Sequence, residues 1–161
     1  MTEEKPAILF TNGVFDLLHT GHVDFLKKIW EEAEELRFHG QETEVVVGIN
    51  SDASVKRLKG PHRPVFNEHD RKMMLESLKY VDRVIIYPTD TAVELIEMLR
   101  PWTYYKGYDY LDKSQTMEHR AALYIGAEVK FVMPPAFEIR HTTNIIHDIW
   151  WTECQRRAGI E

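Results

Sequence analysis

The sequence predicts an α/β fold, a three-layer α/β/α sandwich built on a five-stranded parallel sheet. Three observations predict it. Short apolar runs rich in β-branched residues alternate with amphipathic stretches, the pattern of successive βαβ units. The run at residues 45–50 is apolar almost throughout, as expected of a central strand covered on both faces. A chain of 161 residues with 43% hydrophobic composition suits one core, so a single domain over residues 1–161 is expected.

Taken in order, residues 7–11 form the first strand, followed by a helix over residues 21–38 with Val23, Leu26, Ile29 and Trp30 on one face. The acidic residues 31–35 then read as a solvated face. After the strand at residues 45–50, the basic segment 56–64, punctuated by Gly60, Pro61 and Pro64, reads as a loop over a site. Asn67 or a neighbour can cap a helix carrying Met73, Met74, Leu75 and Leu78. Residues 84–87 form the third strand, residues 91–99 a helix stopped by Pro101, residues 103–106 the fourth strand and residues 129–133 the fifth. Thr142 and Thr143 open the last helix, where a hydroxyl can cap free N–H groups.

Composition excludes several classes. A net charge of −6 argues against a nucleic-acid backbone as the main partner. Cys154 is the one cysteine, so an intrachain disulfide and a thiolate zinc site are excluded, and a reducing cytoplasm is the expected setting. The acidic N-terminus and the lack of an apolar run of about 18–20 residues argue against secretion and membrane insertion.

The polar clusters at residues 12–22, 50–63, 106–109 and 140–143 each follow a strand. In open α/β sheets ligands bind in the crevice beyond the carboxyl ends of the strands, so these clusters should converge there. The first cluster, Thr11-Asn12-Gly13-Val14-Phe15-Asp16 followed by His19-Thr20-Gly21-His22, leaves a strand and enters a helix. Gly13 and Gly21 permit close backbone approach, the helix start offers free N–H groups, and two imidazoles three residues apart share a face. Neither the Walker nor the dinucleotide-binding glycine spacing occurs. The His-Glu-x-x-His metal spacing is also absent, and no metal-ligand set is expected.

This segment resembles the signature of the cytidylyltransferase-like nucleotidyltransferases, a family with a Rossmann-like fold. The resemblance continues through residues 50–60, Arg63-Pro64-Val65, Tyr80-Val81-Asp82, Lys106-Gly107-Tyr108-Asp109-Tyr110 and Thr142-Thr143-Asn144-Ile145-Ile146. It is closest to the adenylyltransferases that make ADP-heptose from D-glycero-β-D-manno-heptose 1-phosphate and ATP, either free-standing or as one domain of a bifunctional protein.

The resemblance implies in-line attack of an acceptor phosphate oxygen on the nucleotide α-phosphorus, with pyrophosphate leaving and no covalent enzyme intermediate. His19, His22 and Lys59 would then stabilise the transition state. The implied nucleotide site comprises Thr11, Asn12, Gly13, Val14, Phe15, His19, Gly21, His22, Lys106, Gly107, Asp109, Thr142 and Thr143. Asp16, Lys56, Lys59 and Arg63 are the implied contacts to the acceptor. Mg²⁺ is expected as cofactor, held by phosphate and water. Asp16 reads equally as an outer-shell contributor or as a hydrogen-bonding anchor of its own turn. Residues 80–84 resemble a segment used at dimer contacts, and a homodimer is expected.

Two departures bear on specificity. His141 stands where the heptose enzymes usually have Ser, and Tyr108 where they have Gly. A Gly-Tyr-Asp run at this place also resembles archaeal FMN adenylyltransferases. Glycerol-3-phosphate cytidylyltransferases carry an arginine that an ungapped comparison puts at Ala136, with Arg140 out of register, which favours ATP over CTP. A nucleotide-binding regulatory module is the non-enzymatic alternative, and retention of both histidines and Lys59 weighs against it.

Overall fold

Strand β1 (Ala7–Gly13) pairs in parallel with β2 (Thr43–Asn50) on one side and β4 (Thr103–Gly107) on the other. β3 (Arg83–Tyr87) lies beyond β2 and β5 (Glu128–Val132) beyond β4, so the all-parallel order is β3-β2-β1-β4-β5. A computed structural model describes residues 5–113, 116–134 and 141–158. Ala136 and Arg140, used above to weigh ATP against CTP, lie outside the described residues. The chain winds from β1 outward to β3, then returns to β4 and winds the other way. The reversal between β1 and β4 is the switch point at which a crevice opens above the strands.

Alternation along the strands divides the core between two faces. Leu9 and Tyr105 face α1 (Thr20–Phe38) and pack with its Ile29 and Ala33. Phe10 and Tyr104 face the other way, into a cluster with Leu95 and Ile96 of α4 (Val93–Leu99) and Ala121 and Ala122 of α5 (Met117–Tyr124). α3 (Glu68–Glu76) joins the α1 side through Leu75, which packs in one cluster with Val47, Ile49 and Val84. Helices on both faces of a parallel sheet make the three expected layers.

All five expected strands are present, and α3 has the expected cap: Asn67 Oδ1 accepts from His69 N at 2.9 Å and Asp70 N at 3.0 Å. Three readings need correction. Residues 56–59 are not loop but the last turn of α2 (Asp52–Lys59), which Ser51 caps by accepting from Ser54 N at 3.3 Å. Its acidic first turn, its basic last turn and Gly60 at φ 97° are ordinary start and stop signals that the basic composition hides. α5 was not expected; it buries little beyond Ala121 and Ala122, so its apolar pattern is weak. On α1, Ala33 joins Leu26 and Ile29 on the buried face, and Trp30 packs half-buried against the same cluster as Ile29. The Thr142 hydroxyl at the start of α6 (Thr142–Ala158) donates across to the Leu17 carbonyl at 3.3 Å, tying α6 to the β1–α1 turn. In the segment at residues 80–84, Val81 and Val84 are buried in the chain's own core. Asp82 there accepts from Val45 N at 2.8 Å and Arg37 Nη2 at 2.7 Å.

Arg71 is a charge placed where hydrophobic patterning expects an apolar group. It is 0% exposed, on the same helical face as Leu75. Its guanidinium donates to the carbonyls of Val14 at 2.7 Å, Asn50 at 2.8 Å and Phe66 at 3.0 Å, and to Asp52 Oδ1 at 2.8 Å. One side chain therefore joins the loop after β1, the end of β2, the start of α2 and the loop before α3. Arg71→Met would strand three carbonyls and a carboxylate at once. The expected cost is about 3–5 kcal/mol of stability, read as a lower urea midpoint.

Candidate active site

Above the carboxyl ends of the strands lies a cleft of about 740 Å³, lined from β1, the β1–α1 loop, the end of α2, β4 and its 3₁₀ continuation (Tyr108–Lys113), and the start of α6. Of the expected site residues, all but Lys56 line it. Lys56 is exposed on α2, one helical turn from the cleft-lining Lys59.

The β1–α1 turn sets the centre of the site. Phe15 adopts a positive φ of 48°, an uncommon conformation for a bulky residue, yet its side chain is 7% exposed in the core. A Cβ on Gly13 would come within 3.0 Å of the Phe15 ring, so glycine there lets the ring fold back under the loop. His19 and His22 follow, with ring centroids 3.7 Å apart and planes at 23°. Phe15 lies 4.9 Å from His22, and His141 meets His19 edge-on at 5.8 Å. His19 occupies the N-cap position of α1 without a side-chain cap bond, and the first turn carries no acidic residue. The helix start is thus left positive and open to an anion.

Burial sets the charge of these imidazoles. His22 is pushed down to about 3, first by burial and then by the neighbouring His19 and His141 rings, with the Leu17 carbonyl opposing. His19 is lowered by burial and by His141. Both rings are therefore neutral at neutral pH in the empty site. A polyanion in the cleft acts in the opposite direction and raises their proton affinity, while each neutral ring already donates through its one N–H.

Asp16 has the anchoring role. It is 2% exposed, with Oδ2 accepting from Arg63 Nε at 2.6 Å and Oδ1 from Val65 N at 2.7 Å and Phe66 N at 3.1 Å. The carboxylate thereby fixes the segment before α3 over the β1–α1 turn, and Arg63 faces the cleft already ion-paired. Lys59, exposed at the end of α2, has no hydrogen bond or ion pair among the described residues and can reach a ligand.

On β1 and β4, Thr11 is 1% exposed and its hydroxyl donates to the Tyr105 carbonyl at 2.9 Å, a contact that joins the two strands. Asn12 donates to Tyr87 Oη at 3.0 Å and accepts from Tyr104 Oη at 2.7 Å. Lys106 Nζ lies 3.3 Å from the Asn12 carbonyl. Asp109 folds back over Gly107, where a Cβ would lie 2.5 Å from its Oδ1, so that close approach requires glycine. Thr142 and Thr143 line the cleft beside His141. Tyr87, Asp90 and Glu118 also line it and were not anticipated; Tyr87 ends β3 and could have been read as a strand terminus pointing at the crevice.

Residues 10–148 match the cytidylyltransferase-like family. The chain belongs to that family. It is a nucleotidyltransferase. The bifunctional protein HldE of Helicobacter pylori strain 26695 is 46% identical over 112 residues, 70% of this chain and 22% of that protein. The bifunctional protein HldE of Syntrophotalea carbinolica is 40% identical over 143 residues, 89% of this chain and 27% of that protein. The chain thus matches about a quarter of the length of these relatives. The crystal structure of the lipopolysaccharide core biosynthesis protein from Thermoplasma volcanium superposes with a TM-score of 0.61 at 27% identity, covering 82% of this chain and 98% of that one. No helix among the described residues is long and apolar enough to cross a membrane.

The depressed His22 fixes the sign of a pH effect on stability. Between its folded value of about 3 and its ordinary 6.5, the unfolded chain binds a proton that the folded chain does not. Stability present above pH 6.5 is therefore lost as the pH falls towards 3, by at most about 1.4 kcal/mol per pH unit from this group. Urea unfolding from about pH 7 to about pH 4 is expected to show this loss, with a shallower slope for His22→Asn.

Proposed function

We propose that the chain is an adenylyltransferase that transfers AMP from ATP to D-glycero-β-D-manno-heptose 1-phosphate, releasing pyrophosphate. The observation that carries the chemistry is the stacked, half-buried His19–His22 pair at the open start of α1. The acceptor rests on the 40–46% identity to HldE proteins.

In the proposed reaction an oxygen of the heptose phosphate forms a bond to the α-phosphorus. The bond from the α-phosphorus to the bridging oxygen breaks, and its electron pair leaves with pyrophosphate. The attacking oxygen is already anionic, so no general base is needed. Catalysis then consists of alignment and of stabilising charge on the pentavalent phosphorus. In this reading the free N–H groups at the start of α1, with His19 and His22, donate to that charge, and Lys59 and the start of α6 meet the leaving phosphates; their common lining of one cleft supports it. Mg²⁺ would bind chiefly to triphosphate oxygens and water, adding positive charge at the phosphates. Asp16 fits poorly as a support for the ion, because both its oxygens already accept from protein donors.

The proposed working form is a homodimer, on the resemblance of residues 80–84, and the proposed setting is a reducing cytoplasm, on the single Cys154. Sedimentation velocity tests the first. The reaction is tested by pyrophosphate release with ATP or CTP against heptose 1-phosphates, glycerol 3-phosphate and FMN. ATP with D-glycero-β-D-manno-heptose 1-phosphate is expected to turn over fastest, and failure of every pair would leave a binding module. His22→Ala is expected to lower kcat by about 10²–10³ with an unchanged circular dichroism spectrum, whereas full activity in that variant would remove the histidines from the chemistry.

A further inference from the structure

A third imidazole meets the stacked pair in the cleft. His141 stands directly before α6, and its carbonyl accepts from Ile145 N at 3.0 Å, so it occupies the N-cap position of α6 as His19 does that of α1. The Thr142 hydroxyl on the Leu17 carbonyl, at 3.3 Å, ties the two helix starts together. Ring centroids are 4.9 Å apart from Phe15 to His22, 3.7 Å from His22 to His19 and 5.8 Å from His19 to His141. All four rings line the cleft, in a series that begins at the buried Phe15 and ends at the exposed His141.

The outermost ring is held only by its neighbour. Among the described residues His141 makes no side-chain hydrogen bond or ion pair, to the first N–H groups of α6 or elsewhere, and its one ring contact is with His19. Neither α1 nor α6 carries an acidic residue in its first turn. The carboxylates flanking the start of α1 are already engaged, Asp16 with Arg63 at 2.6 Å and Asp24 with Lys28 at 2.8 Å. Two helix starts with unsatisfied N–H groups, each bearing an N-cap imidazole, therefore face one cleft without a local counter-charge. His141 also lowers the proton affinity of His19 and His22, a repulsion that an anion between the rings relieves.

The spacing separates the roles of the rings. His19 and His22 are stacked closely enough to meet one phosphoryl group, whereas His141, beyond His19, meets the next part of a polyphosphate chain. We propose that His141 is a further catalytic residue of this chain, donating a ring N–H to the leaving pyrophosphate from the start of α6. As the bond from the α-phosphorus to the bridging oxygen breaks, its electron pair goes to pyrophosphate, and the donated N–H disperses that charge without a proton being transferred. The serine usual at this place in the heptose enzymes is shorter and cannot take up a positive charge, so the histidine gives this chain a hold on pyrophosphate that serine does not supply. The inference rests on the transferase reading above, though not on the heptose or on adenine.

Isothermal titration without acceptor reads the contact, using inorganic pyrophosphate, AMP and a non-hydrolysable ATP analogue, each with Mg²⁺. His141→Ser is expected to weaken pyrophosphate and the ATP analogue by about fivefold or more and AMP by less than about twofold. His141→Asn, which keeps a neutral N–H donor, is expected to recover part of the loss. In steady state His141→Ser is expected to lower kcat by about tenfold and to leave KM for the acceptor unchanged. An unchanged thermal midpoint certifies the fold of both variants. An equal loss for all three probes, a larger loss for AMP, or no loss for pyrophosphate overturns the contact. If the parent binds a CTP analogue but not the ATP analogue, and His141→Ser still weakens pyrophosphate, the contact stands and the adenylyl reading fails. If the parent binds neither pyrophosphate nor any nucleotide, both fall.

Discussion

The architecture of the site depends on the buried guanidinium of Arg71. Strands β1 and β2 end side by side, and the chain leaves each of them into a loop with carbonyls that no sheet partner can satisfy. Arg71 collects one carbonyl from each exit, Val14 and Asn50, together with the Phe66 carbonyl before α3 and the Asp52 carboxylate, in one planar group with hydrogen bonds of 2.7 to 3.0 Å. A guanidinium suits this role because its donors fan out in a plane and its charge survives burial better than that of an ammonium. Asp16 completes the arrangement from the other loop, accepting from two backbone N–H groups and from Arg63. The loops over the crevice are thereby held before any ligand arrives.

This fixed frame lets the histidines be placed at a cost that a looser loop would not sustain. Stacking two imidazoles at 3.7 Å and burying them favours their neutral forms. Neutral rings spare the empty cleft a concentrated positive charge. They also leave a response in reserve, since bound phosphate raises the proton affinity of both rings as it arrives. Beside them the open start of α1 supplies dipoles that need no reorganisation. The catalytic power of the site on this account comes from preformed geometry, with neutral imidazoles donating through their N–H groups.

Much of this was legible in the sequence, and the rest was hidden for identifiable reasons. The five strands stood out because buried parallel strands need uninterrupted β-branched runs, and residues 45–50 are such a run. The histidine run stood out through its setting between a strand and a helix. α2 was obscured by its lysines and arginines, which at the end of a helix are favourable, although Ser51 and Asp52 announced its start. Arg71 looked like an ordinary polar position of an amphipathic helix, and its carbonyl partners come from three separate segments that only the folded chain assembles. For Asp16 the sequence left two roles open, and its three protein donors decide in favour of the anchor.

The central claim is that His19 and His22 are neutral in the empty site and gain proton affinity when nucleotide phosphate binds. Histidine ¹⁵N NMR reads ring protonation directly, in the free protein and with a non-hydrolysable ATP analogue and Mg²⁺. The account predicts a His22 ring that stays neutral in the free protein well below its ordinary titration range, and a rise of about one unit or more in the complex. A His22 that titrates near 6.5 in the free protein, or that is unmoved by the nucleotide, would contradict it.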